Sequence, residues 1–472
     1  MLGKHQNWRE LFQVENCNLV QTTNGQRGRY AALSYCWGDD LPLETTTANL
    51  QAHESAIGFQ KLPQTLQDAV MVVRYLDIGY IWIDCLCILQ DSKADWEHEA
   101  AHMADIYSNA YLTIAASRAK HCGEGFLGTR KVHSSLHVCV EDKEGSFELY
   151  FCKQIENTVK YSQPLERRGW AAQESLLSHR VLGFGEDQMT WGCAQIDETE
   201  AYDGPAVTPV HRTDFEDMLQ GLQHPMSNRF RSSAWALFTK LYSERKLTYE
   251  TDTFPAISGI VQRIQKNTGD TYHAGLWRRH FLEGLLWYLE GDFVSRKENV
   301  GKPGVTRRRK GWVAPSWSWA SITGNISYPF TGLSSGYCAR LEECSTTLSG
   351  LDPFGALTAG FARVTGPVTE IRDVAEDEAP SCHRQCIITL ADGTQNKAAI
   401  RFDFVWYKSC SALMITPNLG LCIKNVEETA DTYCRIGVIT VARAPGDGQS
   451  GRRQLPQLTA SDYSPPRTIT LV

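Results

Sequence analysis

Acidic side chains gather around one strongly apolar segment of the chain. Asp84 lies within the run YIWIDCLCILQ, and Asp91, Asp95, Glu97 and Glu99 follow it closely. Carboxylates at the start of a helix complement its dipole. A carboxylate inside an apolar run is different, because burying it without a partner is costly. We therefore expect Asp84 to be paired with a cation.

A second patch of charged and amide side chains follows further along the chain. Its members are Arg168, Trp170, Gln173, Glu174 and Arg180. Such a patch either orients a phosphate or carboxylate group or fastens two parts of the fold together through ion pairs. Its two arginines, together with Arg167, are the candidate partners of Asp84.

The helix predicted after the apolar segment contains the motif HEAAH at residues 98–102. This spacing places both imidazoles on one helix face, where they would bind zinc while Glu99 acts as a base. However, the spacing indicates no third ligand, and the helix is expected to cross between two strands. We interpret the histidines as polar-face residues and predict no metal site.

A glycine-rich segment, GEGFLG at residues 123–128, matches the spacing of a dinucleotide fingerprint. That fingerprint requires a helix to begin within the glycines. The following residues, TRKVHSSLHV, are not helical in pattern, so a flexible loop is predicted. The chain contains no G-x-S-x-G nucleophile motif and no G-x-x-x-x-G-K-[ST] phosphate loop.

Alternating strands and helices must position these groups. The predicted strands cover residues 30–38, 80–90 and 110–116. The predicted helices cover residues 63–79 and 94–110. This alternation is typical of an α/β fold with a mostly parallel sheet. Because sites in such sheets form where strands end, we expect the site near residues 34–38, 84–91 and 117 onward.

The pattern changes after residue 130. Residues 165–193 combine a short helix with a strand, residues 232–290 are mostly helical in pattern, and the chain is β-rich from Trp312 onward. The basic run at 307–310, the acidic stretch at 373–378 and the tail after residue 444 are predicted to be solvated or flexible.

Composition excludes several classes of protein. The 472 residues contain 47 Lys+Arg and 54 Asp+Glu, for a net charge of −7, so no nucleic-acid partner is expected. No run reaches the ~18 apolar residues of a membrane span. The 15 cysteines are odd in number and scattered, without a secretion signal, which predicts free thiols and a cytoplasmic protein.

Five ordered motifs resemble the heterokaryon-incompatibility (HET) domain of filamentous fungi. They are YAALSYCWG, LPQTLQDAV, IWIDCLCILQD, DWEHEAAHMADIYSNA and RRGWAAQESLLSHRVL. The resemblance implies a Toll/interleukin-receptor (TIR)-like or Rossmann-like sheet with flanking helices, followed by a mixed α+β region. The expected divisions are a lead-in at 1–29, the HET domain at 30–195, a helical region at 196–330 and a β-rich region at 331–472.

The resemblance also implies a function, since many family members trigger cell death when genetically different hyphae fuse. Some TIR domains cleave NAD with a glutamate that lies four residues after a tryptophan. Here Glu99 lies three residues after Trp96, one residue closer. The resemblance therefore makes Glu99 the first catalytic candidate, with Asp84 beside it, and NAD a candidate substrate without any required cofactor.

The substrate-binding candidates surround these carboxylates. They are Ser34, Tyr35, Trp37, Gly38, Arg168, Trp170, Gln173, Glu174 and Arg180. The expected partners are a small molecule or an incompatibility protein, and a homo-oligomer is left open.

An alternative function is the cyclisation or isomerisation of an apolar natural-product intermediate by a stand-alone HET-fold enzyme. Seven tryptophans suit such a pocket, or else they are core residues. They are Trp37, Trp170, Trp191, Trp277, Trp287, Trp317 and Trp319.

Overall fold

The computed structural model divides the chain into two compact units, Met1–Gln220 and Gly221–Val472. It describes residues 10–22, 28–38, 43–130, 136–142, 145–151, 163–200, 228–290, 307–309, 311–329, 336–372, 383–403, 407, 409–426, 431–441 and 458–472. Each unit has its own sheet and its own hydrophobic core. The finer boundaries expected after residues 29, 195 and 330 stay predictions.

The first unit is built on an eight-stranded sheet. Its strands are β1 (Glu10–Gln13), β2 (Asn18–Gln21), β3 (Tyr30–Ser34), β4 (Tyr80–Trp82), β5 (Leu112–Ala115), β8 (Arg180–Phe184), β9 (Met189–Cys193) and β10 (Asp197–Thr199). Two further strands, β6 (Leu136–Asp142) and β7 (Gly145–Phe151), pair with each other in a separate hairpin. The spatial order is β10-β9-β8-β5-β3-β4-β1-β2, and β8, β5, β3 and β4 run parallel. The mostly parallel sheet is thus confirmed, whereas the TIR-like or Rossmann-like likeness stays a prediction.

Five helices accompany this sheet. They are α1 (Leu50–Ser55), α2 (Gln64–Tyr75), α3 (Asp84–Cys87), α4 (Lys93–Asn109) and α5 (Ala171–Leu177). Helix α2 begins after Pro63, whose fixed φ suits a helix start, and it ends before Asp77, which takes a left-handed conformation (φ 52°). Helix α4 begins at Lys93 and is capped by Ser92, whose Oγ accepts a hydrogen bond from the Asp95 amide at 3.3 Å. Both helices confirm the sequence prediction.

The strand predicted over residues 80–90 is wrong beyond its third residue. Strand β4 ends at Trp82, and a helical turn begins at Asp84, whose Oδ1 accepts a hydrogen bond from the Cys85 amide at 2.7 Å. The Leu86 and Cys87 amides both donate to the Ile83 carbonyl. The residues around this turn are buried on every side, so the apolar run carries no periodicity that would distinguish a strand from a helix. Asp84 therefore lies just past a strand end.

The glycine-rich segment at 123–128 is held in place rather than flexible, which corrects the prediction. The carboxylate of buried Asp68 on α2 accepts hydrogen bonds from the Phe126 amide at 2.6 Å and the Leu127 amide at 2.9 Å. Gly125 adopts φ +75°, and a Cβ there would lie 2.8 Å from Asp68 Oδ2. A carboxylate of the same chain thus occupies the anion-binding amides of this loop.

We expect Asp68→Ala to lower the free energy of unfolding by about 1–3 kcal/mol, because two amide donors lose their acceptor. The measurement is urea denaturation followed by circular dichroism. Asp105→Ala, at an exposed position of α4, is the matched control and should change stability by less than about 0.5 kcal/mol. Equal denaturation midpoints for the two variants would contradict the role given to Asp68.

The second unit begins with helices and short strand pairs. Its helices are α6 (Asn228–Ser243), α7 (Ser258–Thr268) and α8 (Phe281–Gly284). Its two-stranded sheets pair β11 (Tyr272–His273) with β12 (Leu276–Trp277), β13 (Tyr288–Leu289) with β16 (Ile326–Ser327), and β14 (Arg307–Arg308) with β15 (Ile322–Thr323). The mostly helical pattern predicted for 232–290 is confirmed in α6 and α7.

The rest of this unit is a nine-stranded sheet. Its strands are β17 (Arg340–Leu348), β18 (Leu357–Gly366), β19 (Val368–Arg372), β20 (His383–Thr389), β21 (Gln395–Phe402), β22 (Cys410–Met414), β23 (Leu419–Asn425), β24 (Thr432–Val441) and β25 (Arg467–Leu471). Antiparallel pairing of β23 with β24 closes six of them, in the order β24-β21-β20-β19-β22-β23, into a barrel. Ile388, Ile400 and Met414 belong to its buried core. The predicted β-rich region is confirmed.

Two predictions about loops are corrected here. Arg309 donates a hydrogen bond to the Ala320 carbonyl at 2.7 Å, next to the paired strand β14, so this part of the basic run is not a solvated loop. The last strand, β25, pairs with β18 and β24 instead of forming a flexible tail. The acidic stretch at 373–378 lies outside the described residues.

Every cysteine in the described part of the chain is a free thiol, as the sequence predicts. None of its helices combines the length and apolar composition that a bilayer crossing requires.

Candidate functional site

The site lies where the strand order of the first unit reverses. From β3 the chain proceeds to β4 on one side of β3, and then to β5 on its other side. The crevice outside the carboxyl ends of β3 and β5 is the place where ligands bind in open α/β sheets. Helix α5 closes one wall, because Ala171 packs with Cys36 after β3 and Ala115 of β5. We refer to this crevice as the switch point.

Glu174 of α5 is tied to the end of β3. The Ser34 hydroxyl donates a hydrogen bond to Glu174 Oε2, and both residues are only 3% exposed. A carboxylate buried to this degree requires compensation by donors or positive charge. Arg168 supplies positive charge in addition to the Ser34 donor, since the negative charge of Glu174 raises the pKa of Arg168.

Asp84 lies at the neighbouring strand end. Its Oδ2 accepts a hydrogen bond from Trp37 Nε1 at 2.8 Å, while its Oδ1 accepts from the Cys85 amide. Burial raises the pKa of Asp84 above its ordinary value, although the positive charge of Arg168 and the Trp37 hydrogen bond oppose that shift. The protonated form is therefore favoured relative to an exposed aspartate.

The charges of both carboxylates act on Arg168. Burial lowers its pKa, but the negative charges of Glu174 and Asp84 outweigh burial and hold the pKa above the ordinary value of arginine. Of the three arginines considered for Asp84, Arg168 is thus the one that acts on it. Of the two roles expected for this patch, the arrangement therefore supports the attachment of α5 to the sheet through opposite charges. It does not support the binding of a phosphate by Arg168.

Tyr35 lies beside this pair of acids with its ring fully enclosed. Its side chain is 1% exposed, and burial followed by the charge of Asp84 raises its pKa well above the ordinary value. The Tyr35 hydroxyl interacts with Asp84 and Cys85, and both groups contribute to the raised pKa of Tyr35.

Glu99 lies on α4, which packs against α5. It is 3% exposed, and its Oε1 lies 4.0 Å from His98 Nε2. Trp96, one turn earlier, meets Trp170 edge-to-face with ring centroids 6.5 Å apart. The structure therefore brings Glu99 to the helix pair that borders the switch point.

Three other predicted residues have different positions. Gln173 is buried on α5. Gly38 adopts φ +84°, and a Cβ there would lie 2.2 Å from the Cβ of His121, so this glycine allows a close approach of two chain segments. Arg180 begins β8 and so lies at the opposite edge of the sheet, where it is exposed and stacks over the Tyr111 ring at 5.2 Å. The structure does not bring Arg180 to the other candidates.

Sequence reasoning missed Tyr107 and Cys36. The Tyr107 hydroxyl donates to the Leu33 carbonyl at 3.0 Å, next to the end of β3. Tyr107 lies four residues after Met103 and eight after Glu99, a spacing that places all three on one face of α4 and could have indicated it. Burial raises the pKa of Cys36, an effect that Arg168 opposes and that Glu174 and Glu124 strengthen.

The HEAAH motif does not form a cluster of metal ligands in the described part of the chain. The rings of His98 and His102 lie 4.4 Å apart, but His102 Nδ1 lies 2.6 Å from the His98 carbonyl oxygen. No group of three or more His, Cys, Asp or Glu side chains that could hold a metal ion occurs among the described residues.

Comparison with known families adds to this geometry. Residues 30–174, from the first residue of β3 to Glu174, match the family model described as Heterokaryon incompatibility protein (HET). The chain contains a HET domain. No curated protein and no solved structure matches the chain. The HET domain thus includes the switch point and every site candidate except Arg180.

Arg168→Met should lower the free energy of unfolding by about 3 kcal/mol, because two carboxylates of the HET domain lose their shared cation. Chemical denaturation measures this loss. Arg167→Met, at the exposed neighbouring position, is the control and should cost less than about 0.5 kcal/mol. An Arg168 variant as stable as the Arg167 variant would contradict the ion-paired cluster.

Asp84 should give a distinctive pH dependence of stability. Because its folded-state pKa is raised above the ordinary 3.8, its contribution to stability is present at low pH and declines as pH rises through the folded pKa. We compare the unfolding free energies of the parent protein and Asp84→Asn. As pH rises from about 3.5 to 6, the parent protein should lose stability relative to this variant.

Asp91→Asn is the control with the opposite sign. The Thr47 hydroxyl and then the Thr47 amide lower the pKa of Asp91. Over the same pH range, the parent protein should gain stability relative to Asp91→Asn. Two differences that change in the same direction would contradict the assignment for Asp84.

Proposed function

We propose that this protein acts in fungal non-self recognition and cell death, and that its HET domain does so by cleaving NAD at the switch point. The observation that carries the proposal is that two carboxylates at the strand ends, half-buried Asp84 and buried Glu174, both lie under the charge of Arg168, and that Glu174 is hydrogen-bonded to Ser34 of β3. A third carboxylate, that of buried Glu99, lies on the adjoining helix.

Cleavage of NAD develops positive charge, which this arrangement suits. The bond between ribose C1′ and the nicotinamide nitrogen breaks, and its electron pair leaves with nicotinamide, which becomes neutral. Water then adds to C1′ and loses a proton. Carboxylates fixed in place before the reaction stabilise the cationic ribosyl centre without having to reorient.

Each residue has a defined role in this proposal. Glu99 accepts the proton of the attacking water and stabilises the ribosyl cation. Residues Ser34 and Trp37, with Asp84, shape the pocket at the strand ends. Arg168 is a positioning residue, because its guanidinium is engaged by Glu174 and Asp84. We further propose that the protein acts in the cytoplasm, on a small molecule or with an incompatibility partner.

The second candidate is cyclisation of an apolar intermediate in secondary metabolism. Trp37 and Trp170, both half-buried at the switch point, are the observation that favours it. Four of the seven tryptophans expected to suit a pocket instead belong to the core of the second unit. These are Trp277, Trp287, Trp317 and Trp319, each at most 7% exposed. This candidate therefore has less support.

Incubation of the purified protein with NAD, followed by chromatography of nicotinamide and ADP-ribose, tests the first proposal. The parent protein should release both products, and Glu99→Gln should lower the rate by about 100-fold or more, because Gln keeps the size but cannot accept the proton. Glu97→Gln on the same helix is the matched control, since Glu97 is exposed and pairs with Lys93 at 3.6 Å. It should retain the parent rate.

Each outcome has a clear meaning. No release by the parent protein would overturn NAD cleavage. Equal release by the parent and both variants would overturn the role of Glu99 and leave the switch-point carboxylates as the candidates.

A further inference from the structure

Two exposed arginines converge on one tyrosine at the amino-terminal edge of the parallel sheet, which is the edge opposite the switch point. Arg29 immediately precedes β3, Tyr111 immediately precedes β5, and Arg180 is the first residue of β8. Because β3, β5 and β8 are parallel neighbours, the residues at their starts lie side by side. The sheet topology therefore brings together three residues that are far apart in the chain.

Tyr111 lies at the centre of this group. Its amide donates a hydrogen bond to the Tyr30 carbonyl at 2.9 Å, which fixes Tyr111 beside the start of β3. The guanidinium carbons of Arg29 and Arg180 lie 5.0 Å and 5.2 Å from the centre of the Tyr111 ring. Both distances are typical of a cation–π contact, which extends to about 6 Å. The ring is 42% exposed, so two positive charges meet at the surface of the first unit.

Most N–H donors of the two guanidiniums stay available to a ligand. A guanidinium carries its donors in a planar fork. Arg180 uses Nη1, which donates to the Tyr111 carbonyl at 3.3 Å. Arg29 makes no side-chain hydrogen bond within the described part of the chain. Because both side chains are exposed, their remaining donors can reach an acceptor that arrives from solvent.

The positive charge of this group is not balanced locally. Among the residues that the structure describes, no carboxylate forms an ion pair with Arg29 or Arg180. Asp105 on α4 acts on the buried Tyr30 hydroxyl, but it is exposed and pairs with neither arginine. Two like charges on one ring repel each other, and an anion bound to both removes that repulsion.

A phosphate monoester is the anion that matches this group best. At pH 7 it carries a charge of about −1.5 to −2, which balances two guanidiniums, whereas a carboxylate balances only one. Its oxygens also accept the paired N–H donors of arginine in bidentate geometry. A nucleic acid is a poorer match, because each phosphodiester carries a single charge and the chain, at −7, repels a polyanion.

We propose that Arg29, Tyr111 and Arg180 form a binding site for a phosphate monoester. The two arginines bind the phosphate oxygens, and Tyr111 is a positioning residue whose ring holds both guanidiniums. We define these three residues as the arginine–tyrosine site. Because β5 is only four residues long, the two edges of the sheet are about 13 Å apart. The site is therefore separate from the switch point, and the inference does not depend on cleavage of NAD.

Two peptides that differ by one phosphate test the arginine–tyrosine site. The probes are acetyl-Gly-Gly-Ser-Gly-Gly-amide and the same peptide with phosphoserine in place of serine. A titration of the full chain, followed by the NMR signals of the peptide, should show at least about tenfold tighter binding of the phosphopeptide. The affinity should decrease as salt is added, because salt screens exposed charges. Equal affinity for the two peptides, or binding of neither, would overturn the site.

Arginine variants separate this site from a general attraction of charge. Arg29→Gln and Arg180→Gln should each weaken phosphopeptide binding about fivefold or more, because each removes one charge and one fork of donors. Arg180→Lys should retain only part of the affinity, since lysine keeps the charge but lacks the fork. Arg167→Gln is the matched control, because it removes the same charge from an exposed position of the same unit. Equal losses in Arg167→Gln and Arg180→Gln would overturn the site.

Tyrosine variants test the positioning role of Tyr111. Tyr111→Phe should retain most of the phosphopeptide affinity, because phenylalanine keeps an aromatic face for the two guanidiniums. Tyr111→Leu should weaken binding several-fold, since leucine has no such face. Thermal unfolding followed by circular dichroism checks that each variant folds. Equal affinities of the folded Phe and Leu variants would contradict the role given to the ring.

Competition distinguishes the sources of the phosphate. Glycerol phosphate is the small competitor, and a single-stranded oligonucleotide is the phosphodiester competitor. Tighter binding of the phosphopeptide than of glycerol phosphate would support a modified partner protein as the ligand, and the reverse order would support a small phosphorylated metabolite. Tighter binding of the oligonucleotide than of both monoesters would overturn the proposal.

Discussion

The sharing of Arg168 between Glu174 and Asp84 is the interaction on which the site depends. Glu174 belongs to α5 and Asp84 follows β4, so one guanidinium connects segments about ninety residues apart in the chain. Because breaking one side of such a group leaves an enclosed charge without compensation, the geometry is strongly restrained. Ser34 adds a third segment through its hydrogen bond to Glu174. The carboxyl ends of two strands and one helix are thereby held in a single arrangement.

Sequence patterns predicted the elements better than the contacts between them. Helix α2 carries clear apolar periodicity and terminal signals, so it could be predicted. The turn at Asp84 could not, because its surroundings are apolar on every side. The choice between Arg168 and Arg180 depends on strand direction, which places Arg180 at the far edge of the sheet. The rigid glycine-rich loop depends on Asp68, a residue nearly sixty positions away.

Charge was the least predictable property of the site. An arginine beside a tryptophan suggests an anion-binding surface, and that alternative was reasonable for the isolated segment. In the folded chain the charges of two carboxylates, Glu174 and Asp84, already act on the same arginine. Its positive charge is therefore balanced within the fold. The match of residues 30–174 to the HET family model gives no information about these charges.

The pairing of β25 has a consequence for synthesis of the chain. Leu471 of β25 pairs with Ala362 of β18, and β25 also joins the barrel strand β24. During translation the ribbon of β17 and β18 therefore emerges long before the strand that connects it to the barrel. For that interval the inner edge of β18 has unpaired backbone groups, which are the groups through which strands of different chains associate. Newly made chains therefore carry this open edge until Arg467–Leu471 has left the ribosome.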